Sequence, residues 1–256
     1  MKDLVKEDDF AGVQDIGRRE TQEDAYAFTR IPVGSGDENA LLLVLADGVG
    51  GHAAGEVASG VAVHTFCQSF SGHGGGTRER FEVALMDSNE LIADRIRESG
   101  GSLDGMGTTL VSLYVQGWSA QWISVGDSLL YLFRDEKVML LNQLHERPHD
   151  GSPGSGGITS ALAGIPIPLI DCPSDPLALQ EHDVFVVASD GIAPLGVDGV
   201  AKILRKSRSS TAQEQARRLV DATLELQIDN QDNVTVTVVK VPAENEGRST
   251  PDLNGG

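Results

Sequence analysis

The sequence predicts one domain of the α+β class, and three observations carry that expectation. An apolar run at residues 41–45 (LLLVL) meets Asp47-Gly48-Val49-Gly50-Gly51 and then a stretch, 53–70, in which Val57, Val61 and Ala58, Ala62, Phe66, Phe70 recur at helical spacing. From Met106 the texture changes to short β-branched and aromatic runs at 108–115, 118–125 and 129–134, separated by tight turns at Gln116-Gly117 and Gly126-Asp127-Ser128. These are expected to be antiparallel neighbours, with Asp127 in a hairpin turn. Finally, 256 residues at 40% hydrophobic content are enough for one sizeable core.

In chain order, residues 1–9 read as a charged leader and 10–16 as a first strand. The polar segment Ile16-Gly17-Arg18-Arg19-Glu20-Thr21-Gln22-Glu23-Asp24 has no helical period and is expected to be a loop holding arginines and carboxylates side by side. A short strand at 26–29 and a loop at 32–39 lead to the apolar run, which is expected to end by presenting Asp47 at its edge. After the first helix, Phe81, Leu85, Ser88, Leu91, Ile92 and Ile96 mark a second amphipathic helix, closed by Ser99-Gly100-Gly101. A short strand at 137–141 precedes the loop 145–157 (HERPHDGSPGSGG), whose composition predicts a mobile surface segment. Residues 184–188 read as a buried strand, Thr211-Ala212-Gln213-Glu214 as a capping box opening a helix to about 226, and 234–241 as a closing strand. The main domain is expected over 10–242. Residues 243–256 have the composition of a disordered tail.

Composition removes several function classes. No run approaches the roughly 18 apolar residues of a membrane span, and the start MKDLVKEDDF is acidic where a signal peptide is basic and then apolar. A cytoplasmic location is therefore expected. Two cysteines, Cys67 and Cys172, make no disulfide framework and are expected to be reduced. A formal charge of −18 disfavours nucleic acid as a partner, because a phosphate backbone is repelled at long range. A phosphorylated substrate stays possible, since bound divalent cations invert the local potential.

Three times an apolar β run meets an aspartate: Asp47 after LLLVLA, Asp190 after VFVVAS and Asp232 before NVTVTVV, with Asp127 a fourth after QWISV. Each alone reads as an ordinary turn former. At one end of stacked sheets, together with Glu23 and Asp24, they would form an all-oxygen site suited to Mg²⁺ or Mn²⁺. Zinc is the weaker choice, because no Cys or His cluster has ligand spacing. Asp229-Asn230-Gln231-Asp232-Asn233 lacks the glycine and terminal glutamate of an EF-hand loop. Arg19 could clamp a phosphate in a plane, or pair on the surface with Glu20 or Glu23.

With these residues in view, the chain resembles the metal-dependent protein phosphatases of type 2C, and within them the bacterial serine/threonine members. The matching pieces run in the family's order: Arg19-x-x-x-Glu23-Asp24-Ala25, Asp47-Gly48-Val49-Gly50-Gly51-His52-x-x-Gly55-Glu56-x-Ala58-Ser59, Met106-Gly107-Thr108-Thr109, Val125-Gly126-Asp127-Ser128, Ala188-Ser189-Asp190-Gly191 and Asp232-Asn233-x-Thr235. The resemblance implies a four-layer αββα sandwich of two antiparallel sheets flanked by helices. It also implies two Mn²⁺ or Mg²⁺ ions, with Asp47 bridging both, Asp190 and Asp232 holding one, the Gly48 carbonyl the other, and Glu23 and Asp24 acting through water. Arg19 would bind the phosphate while metal-activated water attacks phosphorus, and Asp127 with Asp190 would hold a weak third ion. His52 is a candidate general acid, although its place in the Gly-Gly-His turn is the favoured account. Thr108 and Thr109 are expected to pack and hydrogen-bond inside the sheet.

The chain departs from the family pattern at Gln22 (commonly Asn), Leu129 (commonly Arg), Pro194 (often acidic, beside the third ion) and the short 145–157 segment. The implied activity is hydrolysis of phosphoserine or phosphothreonine on a protein, reversing a bacterial Ser/Thr kinase, by a chain taken as a monomer. The rival reading is a non-catalytic module of the same fold, whose signature would be lost ligands; Asp24, Asp47, Asp190 and Asp232 are all present. A phosphate-loop nucleotide binder fails, because no Gly-Lys-Ser/Thr follows Gly48 to Gly51.

Overall fold

The computed structural model describes residues 4–34, 39–50, 53–147 and 157–243. Its elements in chain order are β1 (Phe10–Asp15), β2 (Asp24–Pro32), β3 (Asn39–Val49), α1 (Ala53–Gly72), α2 (Thr77–Glu98), β4 (Gly107–Thr108), β5 (Leu110–Gln116), β6 (Ser119–Val125), β7 (Leu129–Arg134), β8 (Lys137–Leu140), β9 (Leu177–Ala178), β10 (Val184–Ala188), a 3₁₀ helix (Asp190–Leu195), α3 (Gly196–Lys206), α4 (Ala212–Leu224) and β11 (Val234–Lys240). One sheet has the order β1-β11-β10-β7-β8, and the other β2-β3-β5-β6-β9 with β4 paired to the end of β3. The ladders between these strands are antiparallel.

The continuous apolar runs follow from burial on both faces. In β3, Leu42, Val44 and Ala46 lie in the core under α1 and α2, while Leu41, Leu43 and Leu45 lie in the core between the sheets. Side chains alternate faces along a strand, so a strand covered on both sides must be apolar at every position. The same division holds in β10, where Val184, Val186 and Ala188 face α3 and α4, and Phe185 and Val187 face the other sheet. Helix pair, sheet, sheet, helix pair is the four-layer αββα sandwich. Of the described helices, none is long and apolar enough to cross a membrane. Cys67 and Cys172 are free thiols, part-buried against the core under α1 and α2.

Three local readings change. Gly126-Asp127-Ser128 is not a hairpin, because β6 belongs to the sheet of β3 while β7 pairs with β8 and β10 in the other. Burial on both faces erases the pattern that would assign a strand to a sheet, so adjacency in sequence does not decide pairing here. The link instead crosses between the sheets, with Gly126 at φ +105°, and it carries Asp127 to the gap. Second, β3 does not end at Asp47 but runs to Val49, because β4 pairs Thr108 with Gly48 and Gly107 with Val49. Third, residues 190–206, which fall in no expected element, form a 3₁₀ helix and α3. Gly191, Pro194, Gly196 and Gly199 suggest a loop, but Val200, Ala201 and Leu204 form a buried helical stripe.

Thr211 caps α4 as expected, its Oγ1 accepting from Glu214 N at 3.2 Å, which is the N-cap half of the box. Thr211→Ala is expected to lower stability by about 1 kcal/mol, read as a lower urea midpoint with unchanged slope.

Candidate functional site

The site lies at the end of the sandwich where β3 passes β4, the 126–128 link crosses, β10 ends and β11 begins. Asp24 and Asp47 are directly opposed in the β2/β3 ladder. The main chain of Asp47 is held firmly: its N–H donates to Thr109 Oγ1 (2.9 Å), and its carbonyl accepts from Thr109 N and Thr108 Oγ1 (both 2.9 Å). Thr109 Oγ1 is also 2.7 Å from Ser128 Oγ, which ties Asp47 to the link carrying Asp127. Thr108 and Thr109 are buried and serve the backbone, as expected.

Glycine is required where the chain is tightest. A Cβ at Gly48 would lie 2.2 Å from the Gly55 carbonyl oxygen and 2.7 Å from that of Glu23, and one at Gly55 would lie 2.0 Å from Glu23 Oε2. These contacts seat Glu23 between the end of β3 and the start of α1. Gly48 N donates to Glu23 O (3.0 Å), completing the arrangement.

Asn233 has a structural role that its place in the motif did not reveal. Its Nδ2 donates to Ile16 O (2.9 Å) and Thr21 O (3.0 Å), and its Oδ1 accepts from Glu23 N (2.8 Å). One buried side chain therefore fixes the loop bearing Arg19 and Glu23. Asn233→Ala leaves those backbone groups without their partner, at an expected cost of about 1–3 kcal/mol or more. A lower urea midpoint with unchanged slope measures that cost.

A cleft of about 240 Å³ opens among these elements. Arg19, Glu23, Asp47, Gly48, Asp127, Asp190 and Asp232 all line it, with Asn233. Asp24 stands behind the wall, where its Oδ2 accepts from Ser189 Oγ (2.8 Å) and Thr235 Oγ1 (2.6 Å). Gln14 Nε2 braces this corner by donating to Asp24 O and Thr235 Oγ1, both at 3.1 Å. Arg19 pairs with Asp232 at 2.5 Å. His52 lies outside the described residues, as do 148–156 of the short loop and 244–256 of the tail.

The electrostatics are those of crowded, partly dehydrated carboxylates: Asp24 is buried, Asp47, Asp127 and Asp232 are half-buried, and Asp190 opens to the cleft. Burial holds the Asp47 carboxyl well above the ordinary carboxylate range, and Asp24, Asp190, Asp127 and Asp232 push it further. Asp190 is pushed up to about 7 by burial, then by Asp127, Asp232 and Asp24, with Arg19 opposing. Asp24 rises to about 6, because burial outweighs the hydrogen bonds from Thr235 and Ser189. Burial also raises Asp127, whose Oδ1 is buried without a hydrogen-bond partner. Among the described residues no three His, Cys, Asp or Glu side chains stand as a ready-made metal-ligand group. In this arrangement hydroxyls engage Asp24 and Arg19 engages Asp232. The donor set still fits a hard divalent cation: the ligand atoms are oxygens, one is orphaned, and the mutual repulsion is of the kind a cation relieves.

The sequence pattern described as Protein phosphatase 2C matches residues 11–228. The chain is 31% identical over 233 residues to serine/threonine protein phosphatase PstP of Mycobacterium tuberculosis, covering 84% of this chain and 43% of that protein. It thus spans less than half the length of that relative. It is 25% identical over 228 residues to serine/threonine phosphatase stp of Listeria welshimeri, covering 82% of this chain and 88% of that one. A crystal structure of the PstP catalytic domain in complex with two manganese ions superposes with a TM-score of 0.74 at 27% identity, covering 91% of this chain and 98% of that chain.

Proposed function

Because this chain belongs to the protein phosphatase 2C family, we propose that it is a metal-dependent protein serine/threonine phosphatase. The observation that carries this reading is the convergence of Asp47, Asp127, Asp190 and Asp232 on one cleft, with the Arg19 guanidinium on its wall. Asp47, Asp190, Asp232 and the Gly48 carbonyl would hold two Mn²⁺ or Mg²⁺ ions, with Glu23 and Asp24 acting through water, and Asp127 with Asp190 could take a weaker third. Such ions supply positive charge against the phosphoryl group and an acidified water as nucleophile.

The remaining work falls to the chain. Arg19, released from Asp232, places two N–H groups against phosphate oxygens, which a lysine cannot do in one plane. Thr108, Thr109 and Ser128 keep the Asp47 backbone and the Asp127 link in register. Ser189 and Thr235 hold Asp24 facing Asp47, so that the buried carboxylates cannot splay apart. His52 is retained as a proposed proton donor to the leaving hydroxyl. The substrate would be phosphoserine or phosphothreonine on a cytoplasmic protein, in opposition to a Ser/Thr kinase.

The test is phosphate release from a phosphothreonine peptide with Mn²⁺, with Mg²⁺ and with chelator. Activity is expected only with metal, and Asp190→Asn is expected to lose it while retaining the fold and trapping phosphorylated substrate. Full activity in chelator, or in Asp190→Asn, would sink the metal assignment.

A further inference from the structure

The 17 residues 202–218 carry six cations, Lys202, Arg205, Lys206, Arg208, Arg217 and Arg218, against one carboxylate, Glu214. This is a net +5 in a chain of −18, which leaves −23 on the remainder. All six are exposed, on α3, on α4 and in the turn between them. The two helices lie side by side on the outer face of the β1-β11-β10-β7-β8 sheet. Arg205 and Arg208 are held by Glu136 in the β7–β8 turn: Arg205 donates to its carbonyl (2.9 and 2.7 Å) and Arg208 to its carboxylate (2.6 Å). Lys202, Lys206, Arg217 and Arg218 enter no ion pair among the described residues.

The position is remote from the cleft. β7 starts beside Asp127 and ends at the Glu136 turn, and α3 starts beside the 3₁₀ helix of Asp190 and ends at the cations. A strand's length, roughly 20 Å, separates the two poles, so these cations do not serve the reacting phosphate.

We propose that this face docks an acidic segment of a protein partner. Four unpaired cations on a rigid helical surface attract a short run of carboxylates and steer its approach. Size decides between polyanions. Charges are screened over about 8–10 Å at physiological salt. A short acidic segment therefore covers the patch and meets only the carboxylates at its rim, Glu7 and Asp8 beside the start of α4 and Asp221 one turn on from Arg217, whereas a membrane plane or a long duplex brings the −23 remainder within range. Residues 202–218 also contain no aromatic side chain for base stacking. This face does not depend on the phosphatase reading.

The experiment measures fluorescence anisotropy of a labelled oligoglutamate peptide on the full chain at low and physiological salt. Binding is expected to weaken with salt, and to weaken by about tenfold or more in Lys206→Glu/Arg217→Glu. The matched pair Arg95→Glu/Arg97→Glu on α2 should leave it within about twofold, as a purely local effect requires. Thermal melts confirm that both variants fold. Absence of binding at low salt, no effect of the 206/217 pair, or equal loss in both pairs overturns the proposal. Tighter binding of phosphatidylserine vesicles or a DNA duplex through Lys206 and Arg217 overturns it in favour of those ligands.

Discussion

Asp47→Asn is expected to remove at least about 10²–10³-fold of metal-dependent phosphatase activity, while making the metal-free protein more stable. The first effect follows from losing the carboxylate at the centre of the cleft, which its neighbours cannot replace. The second follows from its surroundings, since Asp47 is half-buried and presses against Asp24, Asp190, Asp127 and Asp232. A neutral amide of the same shape removes a charge that burial penalises, and it can still donate toward Asp24. Removing a poorly compensated buried charge is worth on the order of 1–3 kcal/mol, which shifts Tm by about 2–4 °C per kcal/mol in a chain of this size. Phosphopeptide turnover with Mn²⁺ and a melt in chelator measure the two quantities. Falling activity with rising metal-free Tm is the signature of a carboxylate kept for binding at the expense of stability. A variant that loses both would instead assign Asp47 to the fold.

Adding Mn²⁺ to the wild type is expected to raise Tm, and Asp190→Asn should lose most of that rise. A ligand that binds only the folded state stabilises it by about 2.7 kcal/mol at a hundredfold excess over Kd. Here the ion would also offset the desolvation and the carboxylate repulsion that together lift Asp190 to about 7, and would partner the orphaned Oδ1 of Asp127. Calorimetric scans at several Mn²⁺ concentrations give the dependence directly. Tm independent of Mn²⁺ in the wild type would contradict the assignment of these residues to metal, whatever the activity assay shows.

Much of the fold was legible because its signals are local. The stripe of Ala58, Ala62, Phe66 and Phe70 specifies α1, the Thr211 to Glu214 box specifies the start of α4, and the apolar run before Asp47 specifies a strand. What failed was pairing across distance. Gly126-Asp127-Ser128 has the composition of a hairpin turn but crosses between sheets, since β6 and β7 carry core residues on both faces and no mark of which sheet they join. The helix at Gly196–Lys206 was hidden behind glycine and proline that terminate other helices.

The candidate site divides in the same way. The kinds of residue at strand ends, carboxylates and one arginine among glycines, were determined by the sequence alone, because all-oxygen ligation and phosphate recognition are properties of side-chain chemistry. The backing of those residues was decided only by tertiary structure. Asn233 fixes a loop more than two hundred residues earlier, Ser189 and Thr235 hold Asp24, and Thr109 joins Asp47 to Ser128. Hydroxyl and amide side chains are ambiguous in a sequence, because the same group caps a helix, lines a turn or faces water. Only the folded chain shows which buried partner each one satisfies, and hence why seven of the predicted residues share one cleft while Asp24 stands behind it.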